Sequence, residues 1–329
     1  MKKSYFLVII LSSVLSLSFT FSSPAKNYKG KKILLINSYH DGLPWSDGEI
    51  RGMKSILDGS GVEFKIEHMD TKINPSDEFK VQAGIRAKKV IDTYKPDVVI
   101  VADDNAFKYV IMPYYRDSDL PVVFCGINWD ISVYGGPYSN TTGIIEVGLT
   151  SGLYNHMKKL VKGNRVGFIG PDVLSEHKNA EHYEKYIEGG YAYKEFVKDF
   201  QSWKKAYLEM QDKVDMFIVP GHAGIKGWDS DKATEFIFEN INKPIATESE
   251  DLMAFALMAL SKVSEEQGEQ AALSALRILG GEKPIDIPIV FNKKGHLVLN
   301  LKVADKLNII YTPAMLRNAK AIIGLEEQL

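Results

Sequence analysis

The apolar positions of this chain fall into two patterns that alternate. Short unbroken runs form the first pattern: Lys32–Asn37 (KILLIN), Asp97–Ala102 and Pro121–Gly126. Runs of this length with almost no polar interruption predict strands buried on both faces, as in a parallel sheet. Stretches with helical period lie between them. Ser46–Leu57 puts Ile50, Met53, Ile56 and Leu57 on one face, and Gly59 and Gly61 end it. Val62–Met69 predicts another strand. Ser76 can cap a helix that runs to Tyr94 and is stopped by Pro96, and a further helix is expected near Ala106–Met112.

The second half repeats the order. Strands are predicted over Arg165–Gly170, Tyr193–Val197, Asp215–Val219 and Lys243–Thr247, with helices over Ser175–Tyr186 and Ser202–Asp212. Asp97 and Pro121 each precede an apolar strand, and Asp215 and Pro244 stand in the same relation in the second half. The repetition predicts an α/β protein of two doubly wound, Rossmann-like lobes with right-handed crossovers. The final third predicts a helix over Met253–Lys262, then a helix over Ser264–Leu279 with a capping box from Ser264 and Gln267. Short strands near Ile287–Phe291 and Leu297–Leu301 and a tail helix over Thr312–Ile323 follow.

The N-terminus breaks the pattern. Lys2 and Lys3 precede an apolar run from Tyr5 to Phe21, and Ser23-Pro24-Ala25 supplies small residues after it. This order predicts a secretory signal over 1–25, with an uncleaved anchor as the alternative. The expectation is an exported, periplasmic or extracytoplasmic protein. Composition narrows the field further. At 329 residues the chain exceeds the size at which one core keeps growing. Lys plus Arg (40) nearly balance Asp plus Glu (42), which argues against nucleic acid as a partner. The single Cys125 can make no disulfide within the chain, and it sits in an apolar strand, where a thiol is buried and inert.

Ligands of open α/β sheets bind beyond the carboxyl ends of the strands. In the first half those ends carry Ser38, Tyr39 and His40, then Asp70, then Asp103 and Asp104, then Asn128 and Trp129. In the second half they carry Asp172, His222 and Glu248. Trp45, ahead of a helix, can act as a lid, and Glu146 stands near a crossing between lobes. These residues are the candidate ligand contacts, although any Asp among them can equally cap the next helix or turn. No catalytic set emerges. Gly-x-Ser-x-Gly is absent around Ser38, and neither phosphate-cradling glycine pattern follows the first strand. Adjacent Asp103 and Asp104 would point apart in an extended segment. His40 and His222 lack a closely spaced partner, so neither a metal nor another cofactor is expected.

Ile36-Asn37-Ser38-Tyr39-His40, Leu43-Pro44-Trp45, Met69-Asp70-Thr71-Lys72 and Gly280–Pro288 with Leu299–Lys302 resemble one bacterial family. It is the ABC-transporter substrate-binding family of uncharacterised type, and the resemblance runs over the whole chain after the signal. It implies a type I periplasmic-binding-protein fold with a hinge crossed three times, near 146–148, 250–253 and 288–291. The implied lobes are 26–147 with about 252–288, and 148–251 with about 289–329. The implied function is capture of a small organic solute, an amino acid or aromatic metabolite among the options, by a monomer that closes on it and meets the permease of an ABC importer. A sensor module serving a membrane kinase or cyclase is the second reading, and an exported α/β enzyme the third.

Overall fold

The computed structural model describes residues 28–324. The expected signal segment, 1–25, lies outside the described residues. Thirteen strands are described: β1 (Lys32–Asn37), β2 (Glu63–His68), β3 (Val98–Ala102), β4 (Val122–Asn128), β5 (Thr141–Glu146), β6 (Val166–Pro171), β7 (Tyr191–Val197), β8 (Met216–Ile218), β9 (Ile245–Thr247), β10 (Met258–Lys262), β11 (Val290–Phe291), β12 (Gly295–Asn300) and β13 (Ala321–Ile323). The helices are α1 (Pro44–Leu57), α2 (Asp77–Tyr94), α3 (Asp103–Ala106), α4 (Met112–Tyr114), α5 (Thr150–Met157), α6 (Leu174–Glu184), α7 (Phe200–Met210), α8 (Ser230–Asn240), α9 (Ser264–Leu279), α10 (Leu301–Lys306) and α11 (Pro313–Asn318). A π-helical stretch, Phe107–Ile111, joins α3 to α4.

The strands form two sheets. The first has the order β11-β5-β4-β3-β1-β2 and is parallel throughout. The second has the order β13-β12-β10-β9-β8-β6-β7, with only the β10–β12 pair antiparallel. The apolar runs are unbroken because both faces of each sheet are covered. In the first lobe Leu34, Ile36, Val99 and Val101 feed the core on one face, and Ile33, Leu35, Val98 and Ile100 feed the other. The two doubly wound lobes expected from the sequence are present, and the chain passes between the sheets three times.

The crossings sit after β5, after β10 and between β11 and β12. The middle one differs from expectation. Met253–Lys262 is not a helix; its second half is β10, which pairs with β9 and β12 in the second sheet. The crossing therefore falls at Val263 rather than 250–253, and β11 belongs to the first sheet. The apolar run has no helical polar face to solvate, since it is buried between two strands. The tail helix ends at Asn318, and Ala321–Ile323 becomes an edge strand. Strand β5, rich in Thr and Gly, has no counterpart in the sequence reading.

The first lobe is completed by α9, which packs along α1. A Cβ at Gly268 would lie 1.8 Å from the carbonyl oxygen of Glu49, so only glycine allows this approach. The expected capping box on α9 does not form: Val263 is the N-cap, and no side chain caps it. Gln267 is turned inward instead, where its Oε1 accepts the N–H of Gly126 at 3.0 Å.

Candidate functional site

Three strand ends of the first lobe carry residues in the left-handed region: Asp70 (φ 57°), Asp103 (φ 65°) and Trp129 (φ 62°). Non-glycine residues adopt that conformation rarely, and such strain concentrates where side chains must be aimed. Near the end of β4 the register with β5 shifts between Phe124 and Ile127, a bulge around Gly126 (φ 67°). A Cβ on Gly126 would sit 2.8 Å from Glu49 Oε1 and 3.0 Å from Asp103 Oδ1. The missing side chain is what lets both carboxylates flank one point of the backbone.

Glu49 and Asp103 are almost fully buried, at 1% and 3% exposure. Oδ2 of Asp103 has no hydrogen-bond partner, and the Glu49 carboxyl is met only by the Trp45 indole and the Cys125 thiol, neither of them a well-formed bond. Burial, then Asp103 and Glu146, pushes the Glu49 carboxyl well above its usual range. Burial, then Glu146 and Asp104, does the same for Asp103. Tyr39 shares this environment: its half-buried ring lies under Lys72, whose Nζ is 5.0 Å from the ring centre. Its phenol is pushed up by burial and by Asp103, Asp104, Glu146 and Glu49.

The second lobe presents its own acids to the same region. Glu248, after β9, accepts from the Thr150 hydroxyl at 2.6 Å and the Tyr183 hydroxyl at 3.2 Å. Burial raises its carboxyl. Glu176 in α6 is pushed up to about 7 by burial, with Glu248 adding repulsion. One cation answers them. Lys262, the last residue of β10, pairs with Glu146, the last residue of β5, across the lobe boundary. Burial alone would lower the Lys262 ammonium, but Glu146, Glu248 and Glu176 together hold it above its usual value. Its Nζ lies 5.6 Å from the Trp45 ring centre.

Trp129 makes a second bridge. Its Nε1 donates to Asn179 Oδ1 at 2.8 Å, and its ring stacks on His182 at 4.4 Å with 7° between planes. A cavity of about 560 Å³ opens beside it, lined by Asp104, Asn128, Trp129, Val133 and Tyr134 of the first lobe and by Asn179 and His182 of the second. Asp104 Oδ1 accepts from the Tyr134 hydroxyl at 2.8 Å, and Oδ2 accepts from Asn128 Nδ2 at 3.0 Å. The extended segment expected at Asp103 and Asp104 is instead the start of α3: Asp103, with φ 65°, has its Oδ1 beside Gly126, while Asp104 holds Tyr134 and Asn128.

The structure thus brings together Tyr39, Trp45, Asp103, Asp104, Asn128, Trp129, Glu146 and Glu248. Ser38 is nearby but consumed: its hydroxyl donates to the Ala102 carbonyl at 2.6 Å and accepts the Ala106 N–H at 2.7 Å, tying β1 to α3. His40 is half-buried, with Nδ1 unpartnered. Asp70 turns the chain after β2, and its carbonyl accepts the Asn74 N–H. Asp172 pairs with His177 at 2.8 Å and with Lys198 at 3.6 Å on the surface of the second lobe. His222 stacks on Trp228 at 5.1 Å and lines a separate hollow with Glu176, Ser249 and Asp251.

Sequence reasoning missed Glu49, Glu176, Asn179, His182, Lys262 and Gln267. Glu49 had a visible signal: it shares the helix face of Met53, four positions on, where a charged residue is out of place. Cys125 is fully buried, and burial raises its thiol, so no nucleophile faces the cleft there. Among the described residues no group of three or more His, Cys, Asp and Glu is placed to hold a metal.

Residues 192–323 match the family model for ABC transporter substrate binding proteins, in agreement with the resemblance read from the sequence. No curated protein matches the chain. Among solved structures, an ABC domain from Streptococcus pneumonia in complex with L-Trp is 19% identical (TM-score 0.57), covering 89% of this chain and 99% of that one. A ligand-free, open substrate binding protein with adhesive properties from Clostridium difficile is 13% identical (TM-score 0.70), again covering 89% and 99%. A periplasmic ribose ABC transporter protein from Conexibacter woesei is 15% identical (TM-score 0.56), covering 90% and 99%. These likenesses establish the two-lobed type I fold, and the matched family is one of substrate-binding proteins rather than enzymes.

Proposed function

We propose that the chain captures a small organic solute between its lobes and presents it, closed, to the permease of an ABC importer. The observation that carries this reading is the cavity between the lobes, walled by Trp129, Tyr134 and His182 and edged by Asp104, Asn128 and Asn179. Its volume suits a small molecule, and its lining combines apolar walls with a few polar groups. A solute touching both walls favours the closed arrangement by its difference in affinity for the two, which is the signal a membrane partner can read. The hinge crossings after β5, after β10 and before β12 divide the chain into lobes of about 28–147 with 263–293, and 148–262 with 294–324. The N-terminal pattern supports export, and no described helix is long and apolar enough to cross a membrane. We further propose that the protein acts as a monomer.

The test is thermal denaturation with a broad metabolite panel, joined to mass spectrometry of whatever co-purifies. A solute at one hundred times its Kd stabilises by about 2.7 kcal/mol, a rise of roughly 4 °C for a chain of this size. A panel that spans sugars, amines, amino acids and organic acids and moves the Tm nowhere refutes capture.

A further inference from the structure

We propose that Trp129 is a clasp between the lobes: its indole, docked on α6 of the second lobe, holds the two together by itself and so sets how readily the cavity closes on a solute. The inference deepens the capture reading by naming what regulates that same site, and it rests on that reading for its consequence. Its basis is a mismatch between where Trp129 sits in the chain and where its ring sits in the fold. The residue follows β4 in the first lobe, and its backbone N–H is held at 2.9 Å by the carbonyl of Glu146, the last residue of β5. Its ring belongs to the other body. Among the described residues it is the one side chain of the first lobe that packs against the core of the second, and it joins neither core of its own lobe.

Three contacts fix the ring there, all of them to α6. The indole N–H donates to Asn179 Oδ1 at 2.8 Å. The ring lies flat on His182, 4.4 Å between centres, and meets Tyr183 edge-on at 5.5 Å. Asn179 precedes His182 by three positions and Tyr183 by four, so all three share one face of the helix. The other contact of Asn179 is a long one, from its Nδ2 to Glu176 Oε2 at 3.5 Å. All of these partners are groups of the chain, so the joint needs no solute to form.

A second observation comes from the backbone. Trp129 holds φ 62°, a region that a bulky aromatic residue keeps only where its surroundings impose it. The turn that carries it is stiffened just beyond, where the Asp130 carboxylate accepts the Ser132 N–H at 2.7 Å and the Ser132 hydroxyl at 2.6 Å.

A hydrogen bond and a ring stack of this kind each shift a two-state balance roughly three- to tenfold. Both are made across the lobe boundary, so both favour the joined arrangement over any in which α6 moves away from β4. A solute that requires the joined arrangement binds with an affinity multiplied by the fraction of chains already in it. The same indole lines the cavity, so the solute meets a wall that is already in place.

The test needs no solute. Asp41, after β1, and Ala223, after β8, are exposed at strand ends of the two lobes, and the native Cys125 is fully buried. Spin labels on Asp41→Cys and Ala223→Cys report the distance between the lobes by double electron–electron resonance, in protein unfolded in guanidinium and refolded to strip any bound solute. The parent is expected to show one dominant short distance. In Asn179→Ala/His182→Ala the ratio of long to short distances rises roughly 10–100-fold. His182→Phe keeps a flat ring for the indole and stays with the parent. Near-ultraviolet dichroism reports whether each variant is folded, and Asn179→Ala alone, with a rise of roughly three- to tenfold, carries the test if the double variant is not. A long distance that already dominates in the parent overturns the clasp. So does a distance left unchanged in the double variant, which makes the ring a fixed part of the hinge. Either result leaves capture standing, since capture is judged separately by the metabolite panel.

Discussion

Replacing Lys262 with Met tests the electrostatic reading of the hinge most directly. The substitution keeps the length of the aliphatic stem and removes the ammonium set among Glu146, Glu248 and Glu176. Removing one partner of a buried ion pair costs roughly 3–5 kcal/mol, because the other charge is left without compensation. Glu146 keeps 9% of its side-chain exposure, but Lys262 keeps 27%, so water shares part of the load. The expected loss is then about 2–3 kcal/mol at pH 7.5, or roughly 3–5 °C in Tm. Lowering the pH to 5 should shrink the loss. The carboxyls of Glu176 and Glu248 are already raised by burial, and without the ammonium they take up protons at a higher pH still. The double variant Lys262→Met/Glu146→Gln should recover at least half of the loss, since it removes the orphaned charge. Differential scanning calorimetry of the parent, both single variants and the double variant at the two pH values closes the cycle. A Lys262→Met protein that melts within 1 °C of the parent at pH 7.5, or a double variant whose losses simply add, would refute the pairing across the hinge.

Other positions give sharper, smaller tests. Gly126→Ala should lower stability by roughly 2–4 kcal/mol, combining a left-handed backbone with a Cβ pressed against two carboxylates, and unfolding in urea would read it. Glu176→Gln should flatten the dependence of Tm on pH between about 5 and 7.5. With a folded-state value of about 7 against an ordinary 4.5, the wild-type carboxyl adds stability that is full below 4.5 and lost as pH rises through 7, on the order of 1–3 kcal/mol. An unchanged slope would place that slope on other groups. Trp129→Ala removes the stack on His182 and the bond to Asn179, so solute affinity should fall roughly three- to tenfold, with the melting of each lobe little altered. Equal loss of Tm and affinity would mean the ring serves packing within one lobe.

How much the sequence discloses depends on what each segment is made of. Strands β1, β3, β4 and β6 are legible to within a residue or two because both faces are buried, so the apolar run has no gaps. Helices α1 and α2 are legible from their periodicity, and Ser76 does cap α2, accepting the Phe79 N–H at 3.2 Å. Met253–Lys262 misled for a physical reason: an apolar stretch of that length fits a buried helix or a central strand, and only its neighbours β9 and β12 decide. Strand ends disclosed half of the cleft, since polar residues there stand out against apolar strands. Glu49, Gln267 and Lys262 were hidden because each lies inside an element whose pattern predicts packing. Their roles come from a glycine far away in sequence or from a strand of the other lobe. Ser38 shows the opposite error, a polar strand end spent on holding the backbone together.

The glycine contact between α1 and α9 ties residues near the start of the chain to residues beyond 263. Ala271, Ala272, Ala275 and Ile278 of α9 cover the face formed by Ile33, Leu35, Val98 and Ile100. Strands β12 and β13 likewise complete the second sheet only after that point. Neither lobe can therefore be cut out as one continuous stretch. A chain halted at residue 262 would leave both sheets unfinished, and loosening the last sixty residues would undo both halves together. The three crossings thus join two bodies that are built, and come apart, as one.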